Sequence, residues 1–258
     1  MMPKSDSGST GAAPLAGAVA GAIALAVGVL ATSTAQAAAI TYTASASSSD
    51  GPLSASANFT TGNGFIDVTL TNTLAPSAIV SAGQALSDIQ FTLSNAPGTQ
   101  GALTASGQLG NLGAGGVVTY TSGSPVRFVG QGPPPPNGTG TFTVSGNTIL
   151  MEALGGGQPS QMILPFVPNG GAYPNANASL LNFNPSTIGP ATFVLDFSGV
   201  TANTTITAAT FSFGTGPDHF VTGTPVTPPP PLPEPASLAL LGSALAGLGF
   251  FGRRRGQK

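Results

Sequence analysis

Alternation of apolar and polar residues with a period of two is the feature that most constrains the fold of this chain. In the stretch FIDVTLTN, residues 65–72, the apolar side chains of Ile66, Val68 and Leu70 fall on one side of an extended strand. The same alternation recurs in the stretches IQFTLS, TFTVS, TFVLDFS and TITAATFSF. A period of two is typical of half-buried β-strands, and we find no convincing amphipathic helix in the middle of the chain.

Clusters of glycine, proline, asparagine and serine separate these segments, as in Gly62-Asn63-Gly64 and Ala96-Pro97-Gly98. Such residues favour turns, because glycine reaches positive φ and proline fixes φ at a negative value. About eight to ten short strands bounded by turns predict an all-β fold. We expect an antiparallel, jelly-roll-like β-sandwich in one domain over residues 38–223. Its core must be built from Phe, Leu, Ile and Val, because the chain has no tryptophan.

The charge content excludes one class of partner. Only 5% of the residues are charged, and residues 38–223 hold six acids against a single basic residue, Arg127. A body with one arginine cannot neutralise a run of phosphates, so the sequence argues against nucleic-acid binding. The absence of cysteine excludes disulfides, thiolate metal sites and cysteine nucleophiles.

The first 37 residues have the features of a secretory signal peptide. Lys4 precedes an apolar stretch from about Leu15 to Ala31, and the polar residues that follow lead to Ala35-Gln36-Ala37. Small residues at positions −3 and −1 suit signal peptidase, which predicts cleavage after Ala37, with cleavage after Ala39 as the second choice. The alternative is a membrane anchor that is not cleaved.

The end of the chain has three parts in order. A proline-rich segment, residues 224–232, favours an extended stalk and cannot form a central strand. Residues 236–251 then contain no charge and only two serines as polar side chains. Arg253, Arg254 and Arg255 follow, and the positive-inside rule keeps such a cluster in the cytoplasm, with the body outside it.

Pro233-Glu234-Pro235, the apolar segment and the arginine cluster together resemble the PEP-CTERM sorting tail, which would occupy residues 233–258. Such tails occur on exported proteins of Gram-negative bacteria that make exopolysaccharide. The resemblance implies that an exosortase, a membrane-embedded cysteine protease, cuts near the Pro-Glu-Pro. The tail would then hold the body transiently at the inner membrane, on the periplasmic side, before the body reaches the cell surface or the extracellular matrix. The alternative is a plain C-terminal anchor.

We predict no catalytic, cofactor-binding or metal-binding residues in the body. His219, the only histidine, follows Asp218 and would be needed for any Ser-His-Asp triad, but no Gly-x-Ser-x-Gly motif accompanies it. Asp67 and Asp196 both lie on predicted strands and could share a sheet face, which is one requirement of a glycosidase pair. Calcium binding by Asp50, Asp88 or Asp218 is a further alternative without a supporting loop motif.

The sequence therefore favours a non-enzymatic exported protein of the cell surface or the biofilm matrix, associated with exopolysaccharide. The first alternative is a carbohydrate-binding module, because Phe, Tyr, Asn and Gln can build a sugar-binding face on a β-sandwich. The scarcity of tyrosine and the absence of tryptophan weaken that alternative. A surface hydrolase ranks third among these three functions.

Overall fold

The computed structural model describes residues 39–121, 141–153, 159, 161–216 and 219–226. The described residues form fifteen β-strands and four short 3₁₀ helices, which confirms the predicted all-β class. The strands are β1 (Ile40–Ser48), β2 (Gly51–Gly62), β3 (Phe65–Asn72), β4 (Leu86–Leu93), β5 (Gln100–Ser106), β6 (Leu109–Leu112), β7 (Val118–Tyr120), β8 (Thr141–Ser145), β9 (Thr148–Glu152), β10 (Ile163–Leu164), β11 (Ser186–Ile188), β12 (Ala191–Phe197), β13 (Ile206–Phe213), β14 (His219–Thr222) and β15 (Thr224–Val226). The 3₁₀ helices span Pro76–Ala78, Ala82–Gln84, Ala114–Gly116 and Ala178–Phe183.

The strands form two sheets. The first has six strands in the order β15-β1-β2-β3-β12-β5. The second has the order β14-β13-β4-β10-β11-β6-β7, with β9 pairing with β4 and β8 pairing with β9. One strand pair departs from the predicted antiparallel arrangement, because β10 and β11 run parallel. A parallel pair needs a long crossover connection, and here the crossover includes the 3₁₀ helix Ala178–Phe183.

The alternating residues face the core as the sequence predicts. In β3, Ile66, Val68 and Leu70 are fully buried, whereas the residues between them are only half-buried. Six phenylalanines are buried in the same hydrophobic cluster, to which both sheets contribute: Phe59, Phe91, Phe193, Phe197, Phe211 and Phe213.

Several contacts join the sheets across this core. The Tyr42 hydroxyl on β1 donates a hydrogen bond to the Ile206 carbonyl on β13, at 3.0 Å. The ring centroids of Phe59 on β2 and Phe91 on β4 lie 5.0 Å apart. The buried faces of the two sheets therefore pack on each other, an arrangement that agrees with the predicted β-sandwich.

The last two strands connect the sheets at one edge. β14 pairs with β13 in one sheet, and β15 pairs with β1 in the other, with Gly223 between them. Residues 224–226, which the sequence assigned to the stalk, thus form a strand at the sheet edge. Pro225 is tolerated there because an edge strand has one side free of ladder hydrogen bonds.

The predicted signal helix and C-terminal helix lie outside the described residues, as does the rest of the predicted stalk and tail. In the part of the chain that the structure describes, no helix has the length and apolarity needed to cross a membrane.

Candidate functional site

The clearest candidate site begins at the turn between β1 and β2, where Asp50 lies. The Ser48 hydroxyl accepts a hydrogen bond from the Asp50 amide at 3.1 Å and donates one to the Gly51 carbonyl at 3.1 Å. Gly51 has φ of 116°, a conformation that residues with a Cβ rarely adopt. These hydrogen bonds and the Gly51 conformation stabilise the turn, and the turn positions the Asp50 side chain in the lining of a cleft.

One wall of the cleft is the 3₁₀ helix Ala82–Gln84. Ser81 caps this helix, because its hydroxyl accepts a hydrogen bond from the Gly83 amide at 3.2 Å. The fully buried Gln84 side chain accepts from the Ser81 amide and donates to the Pro52 carbonyl at 3.0 Å. These bonds fix the wall to the start of β2, close to the turn that holds Asp50.

The other wall is the segment that leads into the 3₁₀ helix Ala178–Phe183. The Asn177 side chain accepts a hydrogen bond from the Ser179 amide at 2.9 Å. The Ser179 hydroxyl in turn accepts from the Ala82 amide at 3.1 Å, which joins the two walls. The cleft between them has a volume of about 360 Å³, and Asn182, Phe183, Thr215 and His219 also line it.

Asp50 is the centre of a polar contact network in this cleft. The Ser81 hydroxyl donates to Asp50 Oδ1 at 2.9 Å, and His219 Nε2 lies 3.4 Å from Asp50 Oδ2. The structure thus brings His219 to Asp50, whereas the neighbouring Asp218 lies outside the described residues. In a Ser-His-Asp triad the histidine stands between the other two groups, but here the carboxylate does. The arrangement is therefore different from the triad that the sequence raised as an alternative.

Gly83 leaves room for the Asp50 carboxylate. A Cβ atom added to Gly83 would lie 2.4 Å from both Cγ and Oδ2 of Asp50, which is too close for any real contact. The position of the carboxylate consequently depends on glycine at this place in the wall.

A pair of carboxyl groups lies apart from the cleft, in the nine-stranded sheet. Asp88 on β4 is directly opposite Glu152 on β9, and its side chain is only 3% exposed. Burial raises the pKa of Asp88 to about 6, and the Glu152 charge adds to that rise. Hydrogen bonds oppose it, among them those that Asp88 accepts from the Ala153 amide at 3.0 Å and from the Ser87 hydroxyl at 3.2 Å.

Asp67 and Asp196 share the outward face of the six-stranded sheet, as the sequence predicts. Asp67 on β3 is opposite Val194 on β12, and Asp196 is opposite Phe65, so that the two acids are diagonal neighbours on adjacent strands. Burial raises the pKa of Asp67.

Most of the other residues on this outward face carry hydroxyl or amide groups, although Phe65 and Val194 also lie on it. One cross-strand row contains Thr41, Asn58, Thr69, Thr192 and Ser106, from five neighbouring strands. Asn58 donates to the Thr41 hydroxyl at 2.9 Å, and the hydroxyls of Thr69 and Thr192 are 3.0 Å apart. Such cross-strand pairs stabilise a sheet without charge.

Of the three aspartates considered for calcium, Asp50 lies at the cleft, Asp88 lies within β4, and Asp218 lies outside the described residues. Within the described ranges, no group of three or more His, Cys, Asp or Glu side chains is placed to hold a metal ion. The sequence singled out Asp50 and His219 separately but missed their contact and the walls of the cleft. The only sequence signal for a wall is the Ser81–Gln84 spacing, which is typical of a capping box.

Comparison with protein families identifies the end of the chain. The family described as the PEP-CTERM protein-sorting motif matches residues 231–255, which include Pro233-Glu234-Pro235 and the arginines Arg253, Arg254 and Arg255. The chain is a PEP-CTERM domain-containing protein. The motif indicates an exported protein that an exosortase sorts to the cell surface. No curated protein and no solved structure matches the chain.

The match covers the tail of this PEP-CTERM protein and does not extend to the body. The sorting residues lie outside the described residues, and so do Ala35 and Ala37 of the predicted signal cleavage site. Cleavage after Ala37 stays a prediction.

Proposed function

We propose that the chain is a non-enzymatic exported protein of the cell surface or extracellular matrix, processed at both ends. Signal peptidase removes residues 1–37, and the tail then holds the body on the periplasmic side of the inner membrane. An exosortase cleaves near Pro233-Glu234-Pro235 and releases the body among exopolysaccharide. The observation that carries this proposal is the sorting motif at residues 231–255.

The composition of the body supports the proposed location. Its outward sheet face carries threonine, serine and asparagine, which hydrogen bond to each other and to water. With one arginine and six acids, the body offers little charge to attract polyanions. A surface of this kind suits a protein that remains soluble within a neutral, hydrated polysaccharide.

The processing is tested by intact-mass measurement of the protein from the membrane and from the medium. We expect the released form to lack Arg253, Arg254 and Arg255, and a strain without exosortase to retain the full tail in the membrane. Substitution of Pro233, Glu234 and Pro235 by alanine should block release.

A matched control replaces Pro228 and Pro229 by alanine, because these prolines precede the matched segment. The control should be released normally. Release of the triple variant at the same rate as the control, or a released protein that still contains the three arginines, would contradict the proposal.

A carbohydrate-binding module is the second candidate function. The polar cleft at Asp50 and His219 favours it over the surface hydrolase, because no described arrangement there matches a Ser-His-Asp triad. Binding of the released protein to a glycan array would distinguish this candidate from a protein that only resides in the matrix.

A further inference from the structure

The cleft lies at one end of the body, and the sorting tail leaves from the other end. Thr41 pairs with Val226, the last residue of β15, so the chain continues toward the motif beside the start of β1. Ser48 pairs with Gly51 at the far end of β1, next to Asp50. Ser48 lies seven positions after Thr41, which corresponds to about 23 Å of extended strand. The cleft and Val226, the last described residue before the sorting motif, therefore lie at opposite ends of β1.

The groups in the cleft can donate and accept hydrogen bonds with the hydroxyl groups of a neutral sugar. The Asp50 carboxylate and the His219 imidazole lie side by side, and the Asn182 amide and the hydroxyl of Thr215 line the same space. Adjacent donors and acceptors suit the neighbouring hydroxyls of a pyranose, and the half-buried Phe183 ring offers an apolar surface for its C–H groups. A volume of about 360 Å³ is at the small end of ligand pockets.

The same groups fit a cation less well. The Ser81 hydroxyl already donates to one Asp50 oxygen, and His219 lies beside the other. Among the described residues that line the cleft, Asp50 is the only carboxylate. Calcium prefers six to eight oxygen ligands, often with several carboxylates. Because both Asp50 oxygens already have polar neighbours, the described lining suits a ligand whose hydroxyl groups can join these hydrogen bonds.

We propose that this cleft binds a sugar residue of a neutral polysaccharide, at the end of the body opposite to the sorting tail. The proposal rests on the proposed function, because that function places the body among exopolysaccharide. Binding and processing can nevertheless fail separately, since the cleft can be titrated whether or not the tail has been removed.

The test is calorimetric titration of the protein with tetrasaccharides of glucose, mannose, galactose and N-acetylglucosamine. The protein is taken from the medium, or extracted as the full chain in detergent if it is not released. The variants are Asn182→Ala, which shortens an exposed side chain, and Asp50→Asn, which removes the charge but keeps the shape. Asp196→Asn on the outward sheet face is the matched control.

We expect at least one tetrasaccharide to bind to the unaltered protein. Its affinity should be about tenfold weaker in each cleft variant, because each variant loses one hydrogen bond to the sugar from a charged or amide group. The control should bind as the unaltered protein does. Absence of binding to all four sugars would overturn the proposal, and so would binding that both cleft variants leave unchanged. Thermal stabilisation by calcium chloride that Asp50→Asn abolishes, without sugar binding, would assign the cleft to a cation instead.

Discussion

The buried carboxyl group of Asp88 makes a specific prediction about stability and pH. Its pKa in the folded protein is about 6, against 3.8 for an ordinary aspartate. Between these two values the unfolded chain has lost the proton while the folded protein keeps it. The free energy of unfolding therefore falls as the pH rises through this window, and the loss is complete above pH 6. A shift of about two units corresponds to a loss of about 3 kcal/mol, at 1.36 kcal/mol per unit.

Asp88→Asn removes this titration with little change of shape. The asparagine oxygen can still accept from the Ala153 amide, and its NH₂ group can donate to the Ser87 hydroxyl. In the unaltered protein the Ser87 hydroxyl also donates to the Ser212 carbonyl at 3.2 Å, and it can keep this hydrogen bond in the variant. The Ser212 side chain also interacts with Asp88, and its hydroxyl can accept from the asparagine NH₂ group. The variant therefore changes chiefly the charge.

Urea unfolding at pH 4, 5, 6 and 7 gives the measurement. Relative to the unaltered protein, we expect Asp88→Asn to gain about 3 kcal/mol of stability between pH 4 and pH 7. Glu152→Gln, which removes the charge opposite Asp88, should lower the pKa of Asp88 and shrink the gain. A stability difference between Asp88→Asn and the unaltered protein that stays constant over this range would refute the reasoning. So would a carboxyl pKa near 3.8 from NMR titration.

Three further substitutions test the packing of the body through the free energy of unfolding. Tyr42→Phe should cost about 1–3 kcal/mol, because it leaves the buried Ile206 carbonyl without the hydroxyl donor; an unchanged urea midpoint would mean that this link between the sheets contributes nothing. Phe91→Ala should cost about 3–5 kcal/mol, since it opens a cavity beside Phe59 in the core, and a loss below 1 kcal/mol would contradict the assigned burial. Gly116→Ala should lower the free energy of unfolding more than Gly64→Ala, although φ is positive at both positions. Only at Gly116 would the new Cβ atom meet backbone, at 2.3 Å from the carbonyl oxygen of residue 173. Equal losses of stability would refute this close approach.

The strands could be predicted where alternation is strong. The apolar faces of β3 and β12 follow from the sequence, because alternation requires only local information. β5 was missed, since its stretch QGALTAS has one large apolar residue and its place at a sheet edge needs no more. The parallel pairing of β10 and β11 was not predicted either, because a local pattern does not specify which strands become neighbours or in which direction they run.

The cleft could not be predicted, because its parts are distant in the sequence. Asp50 lies in a hairpin turn and His219 begins a strand near the other end of the body, and no local pattern joins them. The same holds for Asp88 and Glu152, whose contact depends on the register between β4 and β9. The sorting tail was predictable for the opposite reason. An enzyme recognises it as a continuous segment, so its signal is complete in the sequence alone.

The pairing of β1 with β15 relates the fold to the processing. Ile40 begins β1 shortly after the predicted signal cleavage site, and β15 ends at Val226, with only residues 227–230 before the sorting motif. Because Thr41 pairs with Val226, both segments leave the body at the same corner of one sheet. The predicted signal cleavage site and the sorting motif therefore both adjoin, in the sequence, strand ends that lie away from the cleft. Since β15 closes the sheet beside β1, removal of the tail leaves the body with its edge strand in place.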